Sequence, residues 1–122
     1  VVLGHMDLIK LYQTQADPGF APTAQVWDRI VRNIRSAVAG GLVFEVNSRG
    51  IKKGVGPYPD PNTIEFIAQL GGQITLGDDA HSKTDVGLHY PEAKRVTAQF
   101  FSKAVVFGPG PNGGYLKREV PL

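Results

Sequence analysis

The chain predicts an α/β fold of parallel βα units, and three observations carry that expectation. Short β-branched or apolar runs alternate with segments of helical apolar spacing, in the order strand, helix, strand, helix, strand, helix, strand. Gly-Gly pairs end the first two helical segments, and prolines open the second and third. Such alternation implies right-handed crossovers and a parallel sheet. Composition agrees with a folded domain. Of 122 residues, 42% are hydrophobic and 20% charged, a balance that excludes wholesale disorder.

The elements follow in order. Val1 to Gly4 is a short β-branched run closed by glycine, and Gln13 to Pro22, with Asp17-Pro18-Gly19 and Ala21-Pro22, is a loop. Thr23 is an N-cap for a helix with apolar residues at Val26, Trp27, Ile30, Val31, Ile34, Ala37 and Val38. Arg29, Arg32 and Arg35 fall on its other faces, and Gly40-Gly41 stops it. Leu42 to Asn47 reads as a mostly buried strand, and Ser48 to Pro59 as a loop rich in Gly, Pro and Lys. Asp60-Pro61 starts the second helix, with Ile64, Phe66, Ile67 and Leu70 inward, and Gly71-Gly72 ends it. Ile74 to Gly77 is the third strand and Asp78 to Gly87 a polar loop. Pro91 opens the third helix, with Ala93, Val96, Thr97 and Phe100 inward. Ala104 to Phe107 is the fourth strand, and the Gly/Pro-rich tail holds a short strand at Tyr115 to Val120. Four strands do not close a (β/α) barrel, which takes about eight in its common form.

Several function classes are set aside at this level. The net charge is +2 and no basic run concentrates it, so no nucleic-acid partner is expected. No apolar stretch is long enough for a transmembrane helix, so no membrane partner is expected either. The absence of cysteine excludes disulfides and thiolate metal sites, and is compatible with the cytoplasm. The chain opens on Val1-Val2-Leu3-Gly4, which reads as a strand already under way.

The informative polar residues follow the strands. His5 and Asp7 follow the first; Asn47 ends the second, with Arg49, Lys52 and Lys53 just beyond; Asp78, Asp79 and His81 follow the third. In parallel α/β folds the loops at the carboxyl ends of strands build the active site, so all three groups are expected at one end of the sheet. Asp79-Ala80-His81 puts a carboxylate and an imidazole two residues apart, where both can serve one metal ion or two adjacent ones. D-x-H is also common by chance, and Asp78 capping the loop with Asp79 closing an Asx-turn is the structural alternative. His5-Met6-Asp7 has the same spacing. Asp7 is either the group that orients His5 or the N-cap of a helix starting at Leu8. Arg49, Lys52 and Lys53 are either phosphate-holding cations or a solvated basic loop. Glu45 is a hydrogen-bonded acid near the site or a residue on the other face, His89 marks a helix entry, and Trp27 belongs to the core.

Three segments carry a family resemblance: Gly4-His5-Met6-Asp7-Leu8-Ile9, Phe44 to Lys53 and Ile74 to Ser82, with Tyr58-Pro59 and Asp85-Val86-Gly87 in agreement. Together they resemble the later half of a histidinol-phosphate phosphatase of the PHP (polymerase and histidinol phosphatase) family, closer to its fungal and bacterial members than to the polymerase-linked ones. The resemblance implies that residues 1–122 are the C-terminal part of a single PHP domain, a distorted (β/α)7 TIM-like barrel. It implies a cluster of two or three divalent ions (Zn, Mn or Fe) and hydrolysis of L-histidinol phosphate to histidinol and phosphate in histidine biosynthesis.

By this resemblance His5, Asp79 and His81 are metal ligands, and Asp79 and His81 are catalytic. Arg49, Lys52, Lys53 and Ser82 bind substrate, with Lys52 where the family often has a basic phosphate-binding residue. Asp78 departs from the serine more usual at that position. The family's early H-x-H pair does not occur here, since His5, His81 and His89 are the only histidines. The chain alone is therefore expected to be weakly active or inactive, with unpartnered strand edges that invite association. Two alternatives stand beside the phosphatase reading: a catalytically incomplete PHP fragment with a structural or partner role, and another PHP phosphoesterase.

Overall fold

The computed structural model describes residues 1–12 and 22–122. The loop expected around Asp17-Pro18-Gly19 lies outside the described residues. Three strands form a parallel sheet in the order β1 (Val2–Leu3), β2 (Val43–Asn47), β3 (Gln73–Gly77). Val2 pairs with Val43 and Leu3 with Phe44, while β2 runs against β3 from Val43↔Gln73 to Asn47↔Gly77. The expected alternation and parallel sheet are thus present, with strand bounds within a residue or two of those read from the sequence.

The helices form for the reasons their sequences suggest. In α1 (Ala24–Ala39) the Thr23 hydroxyl accepts from the Val26 N–H at 3.3 Å, and Gly41, at φ +68°, leads the chain away from its C-terminus. In α3 (Pro61–Gln69) the Asp60 carboxylate accepts from the N–H groups of Asn62 and Thr63 and from the Thr63 hydroxyl. α4 (Tyr90–Thr97) begins one residue before the expected Pro91, and Phe100, read as part of its apolar face, lies beyond its end. The core joins Ile34 and Ala37 of α1, Ile64 and Ile67 of α3, Phe44 and Val46 of β2, Ile74 of β3, and Ala104. Phe44 and Val46 lie two apart on a strand and so share one face, which puts Glu45 on the other. Trp27 is half-buried at the rim, its ring 6.0 Å from that of Phe66.

Two expectations need correction. The segment Ser48 to Pro59 is not all loop. Residues Arg49–Lys52 form a short helix, α2, directly after β2. The fourth strand, β4 (Lys103–Pro109), packs beside β3 but is not hydrogen-bonded into the parallel sheet. It pairs antiparallel with β5 (Tyr115–Pro121), from Lys103↔Pro121 to Pro109↔Tyr115, as a separate hairpin. The reason is local. The Gly110 to Gly114 turn brings β5 back at small loop-closure cost, with Asn112 and Gly113 both at positive φ. A partner next in sequence thus satisfies the β4 backbone. No barrel closes among the described residues, and none of their helices is long and apolar enough to cross a membrane.

Gly50 shows how tightly the chain after β2 is packed. A Cβ there would overlap the Gly56 carbonyl oxygen and press on the Tyr58 ring, and a backbone oxygen cannot swing aside as a side chain can. Gly50→Ala should lower the unfolding free energy by about 2 kcal/mol. The readout is a lower urea midpoint at unchanged slope. An unchanged midpoint would show that the loop yields freely.

Candidate functional site

Parallel pairing delivers the chain to one edge of the sheet after each strand: to His5 after β1, Ser48 and Arg49 after β2, and Asp78 to His81 after β3. Two of these groups meet. The Arg49 guanidinium donates from Nη1 to the Asp79 carbonyl at 2.8 Å, and its Nε lies 3.5 Å from Asp79 Oδ2. His81 Nδ1 lies 2.7 Å from the same carbonyl. A carbonyl only accepts, so Nδ1 carries the proton and neutral His81 keeps the Nε2 lone pair free. Asp79 sits at φ +47° and His5 at φ +24°, left-handed conformations that a non-glycine residue holds only when its surroundings fix it.

Asp85, which the sequence reading did not mark as a site residue, is the hub of this edge. Its side chain is only 8% exposed. It accepts from Lys52 Nζ at 2.5 Å and from the His81 N–H at 3.3 Å, and lies 3.6 Å from Arg49 Nη1. The hydrogen bond from Lys52 is the main cause that holds the Asp85 carboxyl below the usual carboxylate range. Asp78 builds the loop. Its carboxylate accepts from the Gly87 N–H at 2.6 Å and from the Ala80 N–H at 3.2 Å, so the Asx-turn expected at Asp79 is closed by Asp78 instead. Ser82 is exposed, with its hydroxyl 3.0 Å from that of Thr84, and Lys53 is exposed at the C-cap of α2.

The third group arrives differently from expectation. The partner of His5 is Glu45, not Asp7: Glu45 Oε2 accepts from the His5 N–H at 3.2 Å and lies 3.4 Å from its Nδ1. Glu45 therefore faces the site edge, which settles the choice its alternating strand position left open. Gly4 and Gly77 flank it. A Cβ on Gly77 would overlap the Glu45 carboxylate, and one on Gly4 would lie 3.3 Å from it. No local signal in the sequence marks this arrangement, because Gly4, Glu45 and Gly77 meet only through the parallel register of β1, β2 and β3. Both His5 and His81 thus turn Nδ1 toward an oxygen, and among the described residues neither Nε2 has a hydrogen-bond partner, the usual preparation of a metal-binding imidazole. His89 is the N-cap residue of α4, at φ +60°, with Nδ1 3.3 Å from Glu92.

The donor types, two oriented imidazoles and a carboxylate, suit a divalent ion such as zinc, manganese or iron. They do not close a site. Among the described residues no group of three or more His, Cys, Asp or Glu side chains gathers to hold a metal.

Asp7 serves a buried cluster instead. Its Oδ2 accepts from the Asp60 N–H at 2.7 Å and lies 3.6 Å from Lys10 Nζ, which donates to the Pro57 carbonyl and stands 5.5 Å over the Tyr58 ring. Asp7 thereby ties the Lys10 turn to the start of α3. Among the described residues, Asp7 Oδ1, Asn47 Nδ2 and the Tyr58 hydroxyl are buried with no hydrogen-bond partner.

No protein-family model matches the chain. A probable histidinol-phosphatase of Schizosaccharomyces pombe is 41% identical to it over 96 residues, which are 77% of this chain and 31% of that protein. The chain is related to the histidinol-phosphatases. A probable histidinol-phosphatase of Deinococcus radiodurans is 31% identical over 108 residues, covering 86% of the chain and 38% of the relative. The histidinol-phosphatase of Saccharomyces cerevisiae is 26% identical over 118 residues, covering 78% and 35%. The chain thus spans about a third of the length of the curated histidinol-phosphatases it matches.

The Asp7 cluster sets a pH dependence. Burial pushes the Asp7 carboxyl up from 3.8 to about 6, against the opposing pull of Lys10. The folded value lies above the unfolded one, so this group's contribution to stability is full below about pH 4 and is lost as the pH rises through about 6. Asp7→Asn should remove that decline from denaturation midpoints measured across this range. The same slope in the variant would place the titration elsewhere.

Proposed function

We propose that these residues form the phosphate-handling edge, and part of the metal centre, of a metal-dependent phosphomonoesterase of the PHP type. The substrate is L-histidinol phosphate and the products are histidinol and phosphate, in the cytoplasm. In this reading the parallel sheet is the later part of a distorted (β/α)7 barrel. One observation carries the proposal: Asp79 and His81 share a sheet edge with Arg49 and Lys52 in a chain related to histidinol-phosphatases.

The residue roles in this reading come from the family resemblance and are supported by the position and charge of each group. His5, Asp79 and His81 hold divalent ions, with further donors from the part of a full-length relative that this chain does not span. When bound, the ions supply an activated water at neutral pH and offset charge on the phosphoryl group. Arg49 and Lys52 bind the phosphoryl oxygens and stabilise charge that grows there during transfer. Glu45 fixes the proton of His5 on Nδ1, and the Asp79 carbonyl does the same for His81, so both rings keep the metal-binding tautomer.

A second reading, an incomplete PHP fragment with a structural or partner role, draws on the lack of a three-donor cluster among the described residues. Metal analysis of the purified chain separates the two. Two or more tightly bound ions per chain would reject the fragment reading.

The phosphatase reading is tested by phosphate release from L-histidinol phosphate by the full-length protein with added manganese or zinc. Release should stop on chelation and return with the metal. Loss of a group that merely orients a metal ligand costs about 10- to 100-fold, so Asp79→Ala, which removes a ligand, should cost at least about 100-fold. Metal-independent release, or release untouched by Asp79→Ala, would sink the proposal.

A further inference from the structure

We propose that Asp85 is a positioning residue for phosphate recognition, holding Arg49 and Lys52 in fixed relation to His81. The inference rests on the reading that these two cations bind a phosphoryl group, and it assigns to Asp85 a role beyond loop structure.

A carboxylate this deeply set needs partners, and Asp85 takes its partners from the proposed phosphate and metal groups alike. Lys52 Nζ lies 2.5 Å from Oδ1; Oδ2 accepts from the His81 N–H at 3.3 Å and lies 3.6 Å from Arg49 Nη1. Asp85 is itself fixed. Its N–H donates to the Ser82 carbonyl at 3.1 Å, and its carbonyl accepts from the Leu88 N–H at 3.1 Å. Leu88 is in turn bound through its carbonyl to the Ser48 hydroxyl at 2.6 Å. Ser48, Arg49, Lys52, Asp78, Asp85 and Leu88 close on one another without space for a water molecule.

The cations are presented rather than consumed. An ammonium has three donors and a guanidinium five, and Asp85 engages only some of them. Lys52 is 44% exposed, and a lysine free in water has rotamer entropy that phosphate binding would have to overcome. Held by Asp85, it meets phosphate with that ordering already done. The negative charge of Asp85 works in the opposite direction by repelling phosphate. Replacement by the near-isosteric asparagine removes that repulsion and the anchoring together, so the sign of the change decides which effect governs.

The test is calorimetric titration of inorganic phosphate into the full-length, metal-loaded protein as wild type, Asp85→Asn, Lys52→Gln and the double variant. Asp85→Asn should weaken phosphate binding about tenfold, the scale of one misplaced charge-assisted hydrogen bond. Lys52→Gln should do about the same, and the double variant little more than either, because the two act through one contact. In turnover of L-histidinol phosphate, Asp85→Asn should raise KM by the same factor and lower kcat as well, because the cations it positions also stabilise the charge that grows during transfer.

Unchanged or tighter phosphate binding in Asp85→Asn, or losses that add independently, would overturn the inference. If Asp85→Asn does not fold, Asp85→Glu, which keeps the charge but displaces it, takes its place under the same outcomes. A wild type that binds phosphate yet does not hydrolyse the ester overturns the catalytic reading alone. A wild type that binds no phosphate overturns both.

Discussion

The parallel ladder of β1, β2 and β3 is the constraint on which the candidate site depends. Only parallel pairing puts the segments after three strands at one edge, and helices must return the chain each time. α1 leads to β2 and α3 to β3. Their inward residues Ile34, Ala37, Ile64 and Ile67 pack on Phe44, Val46 and Ile74 of the sheet. The apolar core thus fixes the relative height of the strand ends. Polar residues at those ends inherit their positions from contacts on the opposite face of the sheet.

Glu45 shows how sequence economy permits this. It occupies a central strand with Gly4 and Gly77 beside it, and neither neighbour has a side chain to contest its space. The acid can therefore lean toward the strand ends and take the His5 N–H while facing its ring. That contact, and the bonds from Arg49 and His81 to the Asp79 carbonyl, hold two residues in the left-handed region. Local strain of this kind persists where the surrounding bonds outweigh it.

Much of this was legible in the sequence because it is local. Thr23 and Asp60 announce helix starts by capping chemistry, the glycine pairs announce ends, and the strand-end placement of His5, Arg49 and Asp79 follows from alternation alone. What stayed hidden depends on contacts between distant residues. Asp7 lies two residues from His5 and looked like its orienting group, yet its carboxylate goes to the Asp60 N–H and Glu45 takes the role. Asp85 looked like part of a polar loop, because its partners Arg49 and Lys52 lie on α2, a helix that a run of Gly, Pro and Lys disguised. The fourth strand looked like one more parallel member, since an apolar run carries no mark of the direction of its partner.

That fourth strand has a consequence for how the molecule opens. β1 must find β2, and β2 must find β3, across intervening helices, whereas β4 finds β5 across a turn of a few residues. Its ladder closes on itself, with no backbone hydrogen bonds continuing into the parallel sheet. The hairpin is still tied to the sheet by packing, since Ala104 of β4 shares the core with Phe44 and Ile74, so its opening would uncover the face that holds the strand ends in place.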